Sequence, residues 1–389
     1  MNNKRLEAAL RSISAEFDRE TLEWLAGMYD GESGGFYYAE SSRVGDQYEP
    51  DLESTAQATS LLHSLGLISK DQEGKTDAPS WWCDGIYEFF AARQDERDGY
   101  FYDPVYREIS AKDKKERNTV FSVGCLESIG RRAPYPTPME RIRAAGGSSS
   151  DKDQAMYESR ESIRAWLDGL KATRPNSYYW GSDISSARSM IKASGRLGDV
   201  VEWLVENQNP ENGTWEKEFD LTAVNGVLKI SGFFGKETVD FPCYETYLSR
   251  AIEFTKTFSP YSAASAWNPM GSIKRILRSL ETPPSEQTTA LIDNGIIEMI
   301  ENTHSKMREF RQPDHGFGYS RKGSSAISNS VKVSDGLPEG DVNALALMVL
   351  ILKESYDLSG TPMPLLWRGY RDEFFAALYE KRKPYIKES

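Results

Sequence analysis

Cysteine and histidine are scarce in this chain, and each scarcity excludes something. Three cysteines, Cys83, Cys125 and Cys243, are scattered through 389 residues. An odd, scattered set is no disulfide framework, and no C-x-x-C pair offers zinc-ligand spacing. Reduced thiols fit a cytoplasmic setting, which is the expected location. Three histidines, His63, His304 and His315, leave little material for a histidine-rich metal site, so no metal ligand is assigned. Long apolar runs are lacking as well. The strongest, residues 344–352, is far shorter than the ~20 residues of a membrane span and reads as a buried helix. Met1 to Glu7 pass into mixed-charge helix without the apolar stretch of a secretory signal. Positive charge is also short. Lys and Arg number 47 against 59 Asp and Glu, giving a net charge of −12 and a pI near 5.0. Nucleic-acid binders carry a basic stripe, so neither a nucleic-acid partner nor an anionic membrane surface is expected. The oligomeric state is left open.

What is plentiful is aromatic: 9 Trp, 20 Tyr and 16 Phe, many beside glycine. They recur in a pattern of amphipathic helix, glycine-aromatic loop and small-residue helix. The first round is 21–29, then Gly34-Gly35-Phe36-Tyr37-Tyr38, then 51–66. The second is 81–93, Asp98-Gly99-Tyr100-Phe101-Tyr102 and 119–130. The third is 156–170, an aromatic loop Tyr178-Tyr179-Trp180-Gly181, and a helix opening at Asp183. The fourth is 199–207, Gly213-Thr214-Trp215 and 220–232. The fifth pairs 244–258 with 262–280 and lacks a clear loop of this kind. The sixth pairs 287–310 with a helix opening at Asp341, through His315-Gly316-Phe317-Gly318-Tyr319. A last amphipathic helix covers 367–379. Helical self-similarity on this scale signals stacked hairpins sharing one core. First helices carry a polar face and belong outside; second helices are Ala/Ser/Leu-rich on most sides and belong inside. The expectation is an all-α (α/α)6 toroid of about six helical hairpins, with residues 1–389 as a single domain. Insertions are expected at 131–154, which contains Gly146-Gly147-Ser148-Ser149-Ser150, and at 320–340, a long polar loop suited to a lid.

The candidate chemistry lies where second helices begin. Asp51-Leu52-Glu53-Ser54-Thr55-Ala56 carries two carboxylates at i and i+2. Aligning the rounds on the alanine after the hydroxyl or amide puts Glu53, Asp220 and Asp341 at one position, with Asp183 one residue upstream. Each acid has two readings. It caps free N–H groups at a helix start, or it joins a ring of carboxylates at one mouth of the toroid. There a carboxyl could hold a proton, two could share acid and base work on a glycosidic bond, or several could hold Mg²⁺ or Ca²⁺ for an anionic substrate. Asp51, Glu53, Asp183, Asp220 and Asp341 are therefore the catalytic candidates. The loop aromatics either tie outer to inner helices or line the mouth, where π faces could stack on sugars or steady a cation. On the second reading Tyr37, Tyr100, Tyr179, Trp180, Trp215, Phe317 and Tyr319 bind substrate.

Trp203-Leu204-Val205-Glu206-Asn207-Gln208, followed by Gly213-Thr214-Trp215, resembles the QW repeat of the terpenoid cyclase and protein prenyltransferase superfamily. Phe89 to Gln94 with Gly99-Tyr100-Phe101, and Phe310-Arg311-Gln312 with Gly316-Phe317, are similar. The resemblance implies an α/α toroid around a central cavity that takes a small-molecule substrate. Asp51 to Ala56 resembles the D-x-D-D-T-A motif of class II terpenoid cyclases, with Glu53 at the middle position and Ser54 in place of the last aspartate. It implies proton-initiated chemistry on an isoprenoid or similar apolar substrate, by Glu53 or Asp51. Such chemistry needs no cofactor, though Mg²⁺ would accompany a diphosphate. The prenyltransferase zinc site has no matching Asp/Cys/His grouping here, since Cys243 begins an outer helix and His315 lies in a loop. A carbohydrate-active hydrolase or lyase with paired carboxylates, and a non-catalytic binding toroid, are the alternatives.

Overall fold

A computed structural model describes residues 3–104, 112–144, 156–329 and 331–386. Its helices are α1 (Asn3–Ser14), α2 (Arg19–Gly27), α3 (Glu40–Val44), α4 (Leu52–Ser64), α5 (Ser80–Ala91), α6 (Lys112–Ser128), α7 (Pro138–Ala144) and α8 (Arg160–Thr173). There follow α9 (Ser177–Ala193), α10 (Leu197–Asn207), α11 (Leu221–Ile230), α12 (Tyr244–Thr257), α13 (Ala263–Ser279), α14 (Glu286–Arg308), α15 (Val342–Leu358) and α16 (Arg371–Arg382). Two short strands, β1 (Ile327–Ser328) and β2 (Val331–Lys332), form the one hairpin among the described residues. The fold is all-α. The inner helices pack side by side in the order α6, α4, α15, α13, α11, α9 around a central cavity, with their partners outside. α1 packs on α14 and α15, and α16 on α2, so the two chain ends complete the outer layer beside the first and last units.

The inner helices are those with small residues on several faces, and the close approach this permits is visible at Gly226. A Cβ there would lie 2.1 Å from the Ser177 hydroxyl oxygen, so α11 meets α9 nearly backbone to backbone. Five inner helices begin with a side-chain cap: Asp51, Asn176, Asp220, Ser262 and Asp341 each accept from a backbone N–H in the first turn. Polar side chains link neighbouring inner helices near their starts, α4 to α15 and α13 to α11. Gln57 donates to Asn343 at 3.0 Å, and Asn268 donates to Asn225 at 2.6 Å.

Four glycine-aromatic loops share one geometry. Each closes a single antiparallel bridge: Tyr29 with Phe36, Gln94 with Phe101, Asn209 with Thr214, and Arg311 with Phe317. Phe36, Phe101, Trp215 and Phe317 are buried between outer and inner helices. The repeat glutamines are buried too and serve the backbone. Gln94 donates to Gly99 and Tyr135 carbonyls, Gln208 to Gly213 and Pro242, and Gln312 to Phe310. Gln94 and Gln208 thereby tie each loop to the chain that leads into the next unit. The third unit differs from expectation. Asn176 caps α9, so Tyr178, Tyr179 and Trp180 lie in its first turn rather than in a loop. Asp183 is consequently inside the helix and opens nothing. Gly146 to Ser150 of the expected 131–154 insertion lie outside the described residues; 131–144 carries α7, and Gln94 holds Tyr135 in place.

Each loop also needs a left-handed residue two positions before its aromatic. Gly34, Gly99 and Gly213 supply it, with φ of 83°, 79° and 70°. In the last loop the residue is His315, at φ 69°. Left-handed backbone costs an L-residue about 1 kcal/mol that glycine does not incur. His315→Gly should therefore raise unfolding free energy by about 1 kcal/mol in urea denaturation. A loss of stability would show that the imidazole makes a contact worth more than the strain.

Candidate functional site

The cavity inside the ring has a volume of about 770 Å³ and is lined from α4, α6, α11, α13 and α15. Much of its wall is apolar, including Leu61, Phe121, Leu228, Trp267 and Leu350. Among the described residues its lining contains no carboxylate. It does contain cations, of which Arg117, Lys229 and Arg275 come from three different helices. His63 also lines it, and burial pushes its pKa down.

The carboxylates gather at the end where the inner helices begin. Glu53, in the first turn of α4, accepts from Arg117 Nε at 3.0 Å and Nη2 at 2.5 Å, and from Lys114 at 3.4 Å. Gln57 donates to it at 3.2 Å and Asn329 at 3.3 Å. Burial opposes its ionisation, but Arg117 and Lys114 outweigh that and hold its pKa below the ordinary value. Arg117 and Gln57 also line the cavity, so they connect the carboxylate to it. Asn329 comes from the turn between β1 and β2, and brings the 320–340 loop across the mouth. The loop is fixed by Glu339, which is buried and accepts from Ser41 N and Oγ and from Ser324 Oγ.

Behind Glu53 is a buried carboxyl pair. Asp51 accepts from Ser54 N and Oγ; Asp103 accepts from Leu52 N at 2.9 Å and Asn118 at 3.3 Å. Burial pushes both pKa values up, helped for Asp103 by the Asp51 charge, which takes it to about 7. Asp341 is fully buried, accepts from the Ala344 and Tyr319 amides, and is pushed by burial to about 7.

These placements correct the alignment of the candidates. Asp51, Asp220 and Asp341 are the equivalent residues, since each is an N-cap bonded to the third amide onward. Glu53 has no counterpart among them and is the distinctive acid. The expected ring of acids facing the cavity is absent from the described lining. Asp220 is an exposed cap, and Asp183 pairs with Arg174 at 2.6 Å on α9. Nor do the seven aromatic candidates line the cavity. Trp215 and Trp180 pack edge-to-face in the shell, as Trp180 does with Trp203, and Phe317 packs near Phe17. Tyr37 is half-buried, Tyr100 lies under Lys115 at 4.3 Å, and Tyr179 is exposed. Tyr319 is half-buried at the mouth, where its amide meets Asp341 and its carbonyl accepts from Ala263 N at 2.8 Å. Cys83 and Cys125 are buried, and burial lifts their thiols to about 11 and about 12, which leaves them inert. Among the described residues, no three His, Cys, Asp or Glu side chains converge as a metal set.

The sequence reading missed Asp103, Lys114, Arg117, Lys229, Arg275 and Asn329. Lys114 and Arg117 belong to a charge run, 112–117, that reads as a solvated helix face. Lys229 carried a signal: it is a lone cation in an otherwise small and apolar inner helix.

A carboxyl raised in the folded state keeps its proton longer than in the unfolded chain, so its contribution favours folding below its folded pKa and is lost as pH rises through it. Asp103 and Asp341, raised to about 7, place this loss between about pH 4 and 7. Thermal melts should show Asp341→Asn losing less stability than the wild type between pH 5 and 7.5. Parallel slopes would mean that Asp341 ionises normally.

No protein-family model matches this chain, and no curated protein matches it in sequence. In solved structures it is similar to a type II terpene cyclase, MstE, from Scytonema. The apo form is 14% identical and covers 90% of this chain and 99% of its own, at a TM-score of 0.42. A variant in complex with merosterolic acid A, its product, is 13% identical and covers 92% and 99%, also at 0.42. An overlay this loose carries no argument about the site, and the fold rests on the helix packing described above.

Proposed function

We propose that the protein is a terpenoid-cyclase-like enzyme that takes an isoprenoid or similarly apolar small molecule into its central cavity and starts its rearrangement with a proton. One observation carries the reading: a largely apolar cavity of about 770 Å³ inside the ring, linked through Arg117 and Gln57 to the acids gathered where the inner helices begin. That volume suits a small organic ligand.

Alkene protonation needs a carboxyl that keeps its proton near neutral pH. Glu53 does not meet this condition while Arg117 and Lys114 hold it ionised. The buried Asp51–Asp103 pair meets it better: burial raises both carboxyls, and the Asp51 charge helps take Asp103 to about 7, so the pair holds a proton up to near neutral pH. Asp51 is thus the proposed proton donor, with Asp103 sharing the proton. Glu53, held ionised by Arg117 and Lys114, contributes by raising the proton affinity of Asp51.

The test is turnover of geranylgeraniol, squalene and oxidosqualene, with products read by mass spectrometry. Asp51→Asn should lower the rate by about 10²-fold or more, the usual weight of a general acid. Glu53→Gln should lower it less, and the wild-type rate should fall as pH rises through the raised Asp51 pKa. Unchanged turnover in both variants would sink the acid mechanism; wild-type binding without turnover would leave a binding toroid instead.

A further inference from the structure

We propose that the cavity is built for a molecule with an anionic head, a carboxylate or phosphate bound between Lys229 on α11 and Arg275 on α13, with Arg117 on α6 facing the same space. The inference shares the cavity of the proposed function but does not depend on turnover.

The whole chain has a net charge of −12, yet the described cavity wall holds these cations and no carboxylate. Elsewhere the protein pairs its buried cations. Lys274 meets Glu354 and Asp357, Arg382 meets Glu88, and Lys114 meets Glu53. Lys229 is different. Among the described residues it has no hydrogen bond and no ion pair, only the face of Tyr178, 5.4 Å from its ammonium. Arg275 makes one hydrogen bond, to the Leu228 carbonyl at 2.8 Å, which fixes its guanidinium beside the residue preceding Lys229. It lies over Trp267, and Arg117 over Phe121, with 5.9 and 4.8 Å to the ring centroids. Aromatic faces thus hold Lys229 and Arg275 without neutralising them, whereas Arg117 is already paired with Glu53. Burial, then Arg117 and Arg275, push the Lys229 pKa down, which is the mark of crowded like charge. A desolvated cation without a partner is costly, and an anion shared by two of them removes that cost. The apolar wall, with Leu228 beside the cations, then takes the rest of the molecule.

Binding would be measured by calorimetry with three probes of similar tail: geranylgeranyl diphosphate, palmitate and the neutral alcohol geranylgeraniol. The wild type should bind one or both anions at least about tenfold more tightly than the alcohol, with an affinity that weakens from 50 to 500 mM salt. The two anions separate a phosphate site from a carboxylate site. Lys229→Met and Arg275→Met should each abolish most of that preference and leave alcohol binding in place, while Lys229→Arg should retain it. Circular dichroism would confirm folding, and retained alcohol binding would show an intact cavity. Equal affinity for anion and alcohol, no binding of either anion, or an unchanged preference in both methionine variants would overturn the proposal. Anion selectivity without product formation would instead overturn the cyclase reading and leave this one standing.

Discussion

The free N–H groups at the start of an α-helix must be satisfied, and in this protein several inner helices start where little water can reach. That constraint shapes the whole mouth of the ring. Asp51 and Asp341 are buried caps, Ser262 and Asn176 use neutral oxygens, and Asp220 caps at an exposed edge. A buried carboxylate cap is costly to ionise, and each such residue has additional donors around it: Ser54 Oγ on Asp51, the Tyr319 amide on Asp341. The polar network at the mouth therefore follows from helix capping before it follows from any chemistry.

Glu53 stands apart from that network. It is the one acid of the first-turn motif that no cap requires, and two cations and two amide side chains converge on it from α6, α4 and the 320–340 loop. Arg117 belongs both to this cluster and to the cavity wall. Whatever enters the cavity meets a guanidinium already engaged by a carboxylate, so ion pairing at the mouth and charge in the cavity act on the same side chain.

The architecture was legible in the sequence because it rests on periodicity. Phe36, Phe101, Trp215 and Phe317 follow glycine or its stand-in at constant spacing, and the preceding amphipathic helices are outside as their polar faces require. The third unit escaped because Tyr178, Tyr179 and Trp180 look like the other aromatic loops. Asn176 caps just ahead of them, and a cap outranks an aromatic cluster in deciding where a helix starts. The site was less legible. A one-dimensional alignment on alanine matched Glu53 with Asp220 and Asp341, whereas the shared bond to the third following amide matches Asp51. Arg117, Lys229 and Arg275 come together only through the ring order of α6, α11 and α13, which no local pattern encodes.

The seam between the ends of the chain has a consequence for how the ring forms. Val342 N donates to the Tyr38 carbonyl, Ala39 bridges Asp341, Gln57 reaches Asn343, and the buried Trp367 donates to the carbonyls of Leu65 and Phe17. The first unit is thus bonded to the last parts made as well as to the second unit. During synthesis it must wait for nearly the whole chain before its inner helix gains a neighbour on that side. Closure of so long a loop is a slow, late event in folding, because its entropy is spent before the contacts repay it. The third to fifth units, α8 to α13, pack on their sequence neighbours and can assemble first, and the cavity exists only after α4, α6 and α15 join them.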